Sequence, residues 1–442
     1  MKKAQPDDNM FLDWFRNASP YINAFRGRIF VIAFNGKLLQ SRHLPRLIED
    51  IALLNSLGIR LVLVHGIRDQ IDKCLAQRKV KCAFMNGVRI TDERALSCAR
   101  EAAGTARITI ESLLSMGLAN TPLSGSDIKV VSGNFVTARP LGIIHGTDFQ
   151  HTGKVRRINH KAILECLSNE TIVLLSPLGY SPSGECFNLM AHDVATSTAI
   201  ALQADKLILL TDSAGMRMGR RKLPRELTLS EAEKLAPVTT QPQIELTPLQ
   251  QACLACQQGV RRAHILNQSV DGAVLRELFT RDGCGCMISA DRYEDIQQAT
   301  ADDIGGILKL ISPLEEKQIL VRRTREALEA GIERFTIVKR DGAIIACSSL
   351  HPFPKEKTGE ISCLAVHEDY QARGYGQRLL DYLEEEARRS GLESIFVLTT
   401  QAVHWFHEHG FQKTKLDSLP LRRRQLYNYR RKSVILIKEL WP

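Results

Sequence analysis

Apolar residues along this chain alternate between two patterns. Short continuous apolar runs read as strands covered on both faces, the mark of a parallel sheet: Arg28-Ile-Phe-Val-Ile-Ala33, Arg60-Leu-Val-Leu-Val-His65, Thr171-Ile-Val-Leu-Leu-Ser176, Lys206-Leu-Ile-Leu-Leu-Thr211 and Ala263-His-Ile-Leu-Asn267. Stretches with helical periodicity, residues 44–57 and 194–202 among them, lie between these runs. Strand, loop and helix recur from about residue 30 to residue 288, which predicts an αβα sandwich. The polar stretch 289–298 reads as a linker, and a smaller α/β unit fills residues 299–442.

The second unit carries the sharpest local signal. An apolar strand, Ile361-Ser-Cys-Leu-Ala-Val366, runs into Gln371-Ala-Arg-Gly-Tyr-Gly376, and a helix with a Leu379, Leu380, Leu383 stripe follows at once. That order leaves the helix N-terminal N–H groups facing outward, with glycines that let a polyanion touch the main chain; a pyrophosphate is the natural guest. A second strand, Ile395-Phe-Val-Leu-Thr-Thr400, a Trp405-Phe406 helix and Gly410-Phe411 come next.

These residues resemble the GNAT family of N-acetyltransferases, with the Gln371-x-x-Gly374-x-Gly376 turn as its coenzyme A loop. The resemblance implies a GNAT α/β domain that takes acetyl-CoA as co-substrate. Its contacts would be Cys363, Leu364, Ala365 and Val366 at the thioester, then Gln371, Ala372, Arg373, Gly374, Tyr375 and Gly376 at the diphosphate.

The first unit resembles the amino-acid kinase family, through His65-Gly66, the segment Phe187-Asn-Leu to Ala195-Thr196, and Leu209-Leu-Thr-Asp-Ser-Ala-Gly215. Its acetylglutamate kinase branch is nearest. Gly259-Val-Arg-Arg-Ala-His-Ile-Leu266 and Glu277-Leu-Phe-Thr-Arg-Asp-Gly-Cys-Gly285 look like the arginine-sensing end of that branch, and residues 11–25 like its extra N-terminal helix. Three departures argue that phosphoryl transfer is lost. Ala33 stands where a first-strand lysine would neutralise phosphoryl charge. His65-Gly-Ile-Arg-Asp69 lacks the second glycine, and His192, followed by Asp193, takes an expected aspartate position.

A degenerate kinase-like domain followed by an acetyltransferase domain resembles the layout of the arginine-inhibited bacterial N-acetylglutamate synthase family, over essentially the whole chain. The implied reaction moves acetyl from acetyl-CoA to the α-amino group of L-glutamate, the entry step to arginine. An ammonium must lose a proton before it attacks a thioester. The resemblance assigns the base to Glu360, whose burial would raise its pKa toward the working range; read without it, Glu360 is an ordinary strand-end acid. Glutamate's two carboxylates would meet Arg323 and Arg431, each within an arginine doublet, with Ser433 adding a hydroxyl donor and Thr399 as a further polar contact to substrate or thioester. L-Arginine would bind the first unit at Glu277, with Tyr21, His264 and Gly283 around it. The N-terminal helix of the family implies a homo-oligomer, a hexamer. The alternatives are a bifunctional synthase and kinase, a GNAT enzyme acting on another amine, and a non-enzymatic arginine or RNA sensor.

Composition adds little to this. A chain of 442 residues has room for two or three cores, and no apolar run nears the roughly 20 residues that span a bilayer. No secretory signal opens the sequence, so the expected address is the cytoplasm, with no membrane partner. The 11 cysteines are odd in number and scattered, which fits reduced thiols. Cys253 and Cys256 lie on one helical face and fit buried packing better than a zinc site with Cys284 and Cys286, so no metal is expected. The net charge of +10 is densest at Arg422-Arg-Arg-Gln-Leu-Tyr-Asn-Tyr-Arg-Arg-Lys432. That run reads as a solvated face with a few carboxylate-binding arginines; coenzyme A is itself anionic, so no nucleic acid is required.

Overall fold

The apolar runs of the first unit form the middle of an eight-stranded sheet in the structure, a computed structural model. It describes residues 8–116, 124–125, 127–212, 217–218, 221–236, 245–280, 283–289, 295–340, 343–371 and 374–441. Helix α1 (Asp8–Phe25) leads into β1 (Ile29–Phe34), α2 (Leu44–Ser56), β2 (Arg60–His65), α3 (Arg68–Gln77) and the long α4 (Glu93–Leu114). Then come β3 (Lys129–Val131), β4 (Thr171–Leu175), α5 (Ala191–Ala201), β5 (Lys206–Thr211), β6 (Glu226–Thr228), α6 (Pro248–Gln257), β7 (Arg262–Asn267), α7 (Ala273–Phe279) and β8 (Cys286–Ser289). The strand order is β6-β8-β7-β5-β1-β2-β4-β3, parallel except between β7 and β8.

Strands β1, β2, β4 and β5 are almost wholly buried because helices cover both faces. One apolar cluster gathers α5, α6 and the odd-numbered residues of β1, among them Val31 and Ala33. The other gathers α1, α2, α7 and their even-numbered neighbours Phe30, Ile32 and Phe34. A continuous apolar run is what two-sided burial demands. Among the described residues no helix is long and apolar enough to cross a membrane.

The chain divides into compact units Met1–Arg292 and Tyr293–Pro442. The expected linker at 289–298 is corrected by strand pairing. Ser289 ends β8, whereas β9 (Asp295–Gln298) pairs antiparallel with β10 (Phe335–Arg340) and opens the second unit's sheet. Its polar composition is that of a short edge strand, in which only Ile296 packs inward.

After β9 the second unit runs α8 (Ile304–Glu316), β10, β11 (Ala343–Phe353), β12 (Thr358–Val366), α9 (Tyr375–Arg389), β13 (Ser394–Thr399), α10 (Val403–Glu408), β14 (Gln412–Lys413), α11 (Leu421–Gln425) and β15 (Val434–Glu439). The sheet order is β9-β10-β11-β12-β13-β15-β14, and β12–β13 is its one parallel pair among the described strands. Helix α8 packs on one face with Ile307, Ile311, Cys347 and Ala365. Helix α9 packs on the other through Leu380, Leu383 and Ala387, against Ile361 and Val397. Burial of each leucine contributes about 1.5–3 kcal/mol.

Candidate active site

Two irregularities in β12 shape the second unit's site. Ala346 and Cys347 pair with Val366 and Ala365, but Ser349 pairs with Ser362, so Cys363 and Leu364 together oppose one residue of β11. Cys363 has φ +56°, the left-handed region that a side chain avoids unless a bulge imposes it. The parallel pairing to β13 also stops at Ile361–Val397, although β12 continues to Val366 and β13 to Thr399. The strands part there, and the main chain of residues 362–366 lines the gap.

A polar row lies on the α8 face beside this gap. Glu360 stands opposite His351, and Ser362 opposite Ser349. The Arg323 guanidinium donates to Ser362 Oγ at 3.1 Å, and the Ser349 and Ser362 hydroxyls are 2.8 Å apart. His351 Nε2 lies 3.2 Å from Ser349 Oγ, and its Nδ1 lies 3.4 Å from Arg334 Nη1. Burial lowers the His351 pKa; Glu360 opposes this and the surrounding arginines add to it, which favours the neutral ring. Its Nδ1 then accepts from Arg334, and its Nε2–H points to Ser349.

Glu360 is 8 % exposed, and its carboxylate accepts two hydrogen bonds from Arg423, at 2.6 and 3.0 Å. Arg431 donates to the carbonyls of Gln318 and Ile319, on the segment that carries Arg323. In each doublet one arginine is half-buried, Arg323 or Arg431, and the other, Arg322 or Arg430, is exposed. Ser433 is half-buried, and its carbonyl accepts from the Tyr427 hydroxyl at 2.8 Å.

The loop after β12 ends on an open helix N-terminus. Gly374, at φ +83°, precedes the first turn of α9, which has no side-chain cap and no acidic residue. A Cβ on Gly376 would lie 3.2 Å from the Trp405 ring, so glycine keeps the main chain uncovered there. Gln371 donates its side-chain amide to the Val366 carbonyl at 3.3 Å, tying the loop to the strand. These residues fit a diphosphate: uncapped N–H groups, helix dipole and clear space coincide. Ala372 and Arg373 lie outside the described residues.

In the first unit, a cleft of about 440 Å³ is lined by Asn35, Lys37, Gly66, Arg89, Asn188 and His192, among others. Ala33 is buried in β1, while Lys37 pairs with Asp212 at 3.6 Å. His192 lies in the first turn of α5, its pKa lowered by burial; Asp193 accepts from the Val155 N–H at 3.5 Å. Elsewhere in this unit Glu277 is enclosed. One oxygen lies 2.8 Å from His264 Nδ1, and the other accepts from the Cys284 and Gly285 N–H groups at 2.7 and 2.8 Å. Burial opposes its charge, but these partners outweigh burial and hold the carboxyl at about 2. His264 is kept neutral by burial and by Lys206, whose ammonium lies 3.4 Å from Nε2 and over the Phe25 ring.

Residues 28–267 match the amino acid kinase family, and residues 304–411 match the acetyltransferase (GNAT) family. An amino-acid acetyltransferase of Ralstonia nicotianae is 48% identical over 436 residues, 98% of this chain and 96% of its own. That of Azotobacter vinelandii is 48% identical over 431 residues, 97% and 99% of the two chains. The chain belongs to the amino-acid acetyltransferase family. The crystal structure of N-acetylglutamate synthase from Neisseria gonorrhoeae, complexed with coenzyme A and L-arginine, matches with a TM-score of 0.87 at 40% identity. It covers 98% of this chain and 100% of its own.

As an amino-acid acetyltransferase, the chain places some expected residues together and others apart. Glu360, Arg323 and Arg431 lie on or beside the α8 face. Thr399 lies apart from them, at the end of β13 where the strands part. Its strand parity matches Ile395 and Val397 on the α9 face, and its hydroxyl accepts from the Gln401 and Ala402 N–H groups, opening the turn into α10. His264, Glu277 and Gly283 do meet, but the Glu277 carboxylate is already satisfied rather than lining an open pocket. Gly283 shapes that closure: at φ +56°, its Cβ would fall 2.4 Å from Glu277. Tyr21 packs on Phe25, ring centroids 6.1 Å apart.

Sequence reasoning missed His351, Ser349, Ser362 and Arg423. A period-2 polar row in an otherwise apolar strand pair could have revealed the first three. Nothing in the arginine run singles out Arg423. Buried thiols carry no signal here: burial pushes Cys253 to about 11 and Cys256 to about 12, and among the described residues no three potential metal ligands are grouped.

Proposed function

We propose that this amino-acid acetyltransferase moves the acetyl group of acetyl-CoA to the α-amino group of L-glutamate, as the arginine-inhibited first step toward arginine. The observation that carries the substrate is the half-buried pair Arg323 and Arg431. Burial and the nearby Arg323 charge lower the Arg431 pKa. Two guanidiniums suit a substrate with two carboxylates. The N. gonorrhoeae relative supports this reading through its name and its complexes with coenzyme A, L-arginine and N-acetyl-glutamate.

Acetyl-CoA supplies the acetyl group as a thioester, held at its diphosphate by the main chain from Gln371 to Gly376 and the N-terminus of α9. Arg323 and Arg431 bind the glutamate carboxylates, with Ser433 beside them. Glu360 takes the ammonium proton, directly or through a water. The amine nitrogen then bonds to the carbonyl carbon while main-chain N–H groups at 363–366 hold the developing oxyanion. The C–S bond breaks, and the coenzyme A thiolate takes up a proton.

L-Arginine acts on the first unit at the Glu277 cluster, where its guanidinium has to replace a present partner of the enclosed carboxylate, His264 or the Cys284 and Gly285 N–H groups. Inhibition requires that arginine bind one conformational state better than another. A homo-oligomer built on α1, located in the cytoplasm, completes this reading.

The test is thiol release from acetyl-CoA with L-glutamate, L-aspartate and a lysine peptide, with and without L-arginine. Turnover with glutamate alone, suppressed by arginine, is the expected result. Equal turnover with the peptide would overturn the substrate assignment.

A further inference from the structure

Glu360 does not meet the gap as a loose carboxylate. Arg423 Nε donates to Oε2 at 2.6 Å, and Nη2 to Oε1 at 3.0 Å, with the side chains only 11% and 21% exposed. The remaining nitrogen, Nη1, donates to the Leu426 carbonyl at 3.3 Å, which fixes the fork to its own segment. The neighbouring arginines do other things. Arg422 is exposed, and Arg424 holds Asp417 and the Leu419 carbonyl. Arg431, further along the run, closes on Gln318 and Ile319. One arginine of the basic run is therefore dedicated to Glu360.

A glutamate side chain has three rotatable bonds, the last with a broad, weakly restrained profile. A bidentate guanidinium fixes that last rotation, because the two planes must coincide. It occupies one acceptor site on each oxygen of a carboxylate that offers about four, so a proton can still be received. We propose that Arg423 is a positioning residue for acetyl transfer: it clamps the Glu360 carboxylate in one plane, with its free lone pairs turned to the substrate amine. Among the described residues the Arg423 guanidinium bonds go to Glu360 and the Leu426 carbonyl, so it acts on turnover rather than on affinity. The inference rests on Glu360 being the base.

Six proteins test it: the parent, Glu360→Gln, Arg423→Gln, the double variant of these two, Arg423→Lys and Arg423→Ala, each assayed for kcat and for both KM values. Arg423→Gln is expected to lower kcat by about 10-fold or more, a fraction of what a positioned base supplies, with KM for acetyl-CoA unchanged. Arg423→Lys, which keeps the charge but not the fork, should recover part of the loss, and added guanidinium should rescue Arg423→Ala. Added to Glu360→Gln, the Arg423→Gln change should cost less than about twofold, because the two residues act as a unit. The same fold-loss in both backgrounds, or a parental kcat in Arg423→Gln, overturns the proposal while leaving Glu360 as the base. A parental kcat in Glu360→Gln overturns both. Coenzyme A affinity and melting temperature, measured on each variant, separate lost positioning from lost folding.

Discussion

Arg431 has the Arg323 guanidinium as a neighbour, and burial together with that like charge disfavours its own ionised form. The free enzyme thus carries a local electrostatic cost that a dicarboxylate removes. Two consequences follow, one for affinity and one for stability. Arg431→Gln should raise the KM for glutamate by about 10-fold or more, the loss of a charge-assisted bidentate contact. The same change relieves that like-charge cost but gives up the bonds to the Gln318 and Ile319 carbonyls, so the ligand-free protein changes little in stability. Thermal shift with and without glutamate reads both: glutamate raises the melting temperature of the parent but not of Arg431→Gln.

Glu277 makes the first unit sensitive to acid. Its folded-state value of about 2 lies below the ordinary 4.5, so its contribution to stability is complete above about pH 4.5 and disappears as pH falls toward 2. Glu277→Gln is expected to destabilise the protein clearly at pH 7 and progressively less toward pH 3. It should also blunt inhibition by arginine while sparing kcat. Melting curves across pH, paired with an arginine titration, check this; a pH-independent loss of stability would contradict it.

Asp50 on α2 works the other way. Burial first, then Asp271 and Glu49, push it up from 3.8 to about 7. The folded state therefore keeps a proton that the unfolded chain releases, and stability falls as pH rises from about 4 to about 7. Asp50→Asn should remove that fall, making the variant more stable than the parent at pH 8 and close to it at pH 4. Denaturant midpoints at the two pH values measure the difference.

The two loop glycines should fail for different reasons. Gly374 sits at φ +83° with nothing within 4 Å of an added Cβ, so Gly374→Ala costs backbone strain of about 1–2 kcal/mol without a clash. Gly376→Leu meets Trp405 and projects beyond it, covering the main chain. Coenzyme A affinity should fall sharply for Gly376→Leu, with the glutamate KM little changed. Isothermal titration with coenzyme A on both variants decides.

Much of the architecture was legible because burial on two faces leaves an unmistakable run. Arg60–His65 and Lys206–Thr211 are strands with the bounds that their apolar residues suggest. The α9 turn was legible because its glycines are required by main-chain geometry. Asp295–Gln298 was not, since an edge strand needs only one inward residue, and Ile296 among polar neighbours looks like linker. The turn bonds of Thr399 were not legible, because a strand's last residue serves the next turn as easily as the face it follows. Arg423 was hidden for another reason: adjacent arginines are chemically equivalent until a fold sends each to a different partner. The Glu277 enclosure depends on backbone N–H groups, which every sequence supplies and none advertises.

The bulge at Cys363 resets the phase of β12. Before it, even-numbered residues Glu360 and Ser362 share a face with α8; after it, odd-numbered Ala365 does. One surplus residue thus splices a polar working end onto an apolar anchoring end along a single edge. Removing it would restore a regular strand of these nine residues and swing Glu360 to the opposite side, away from Arg423.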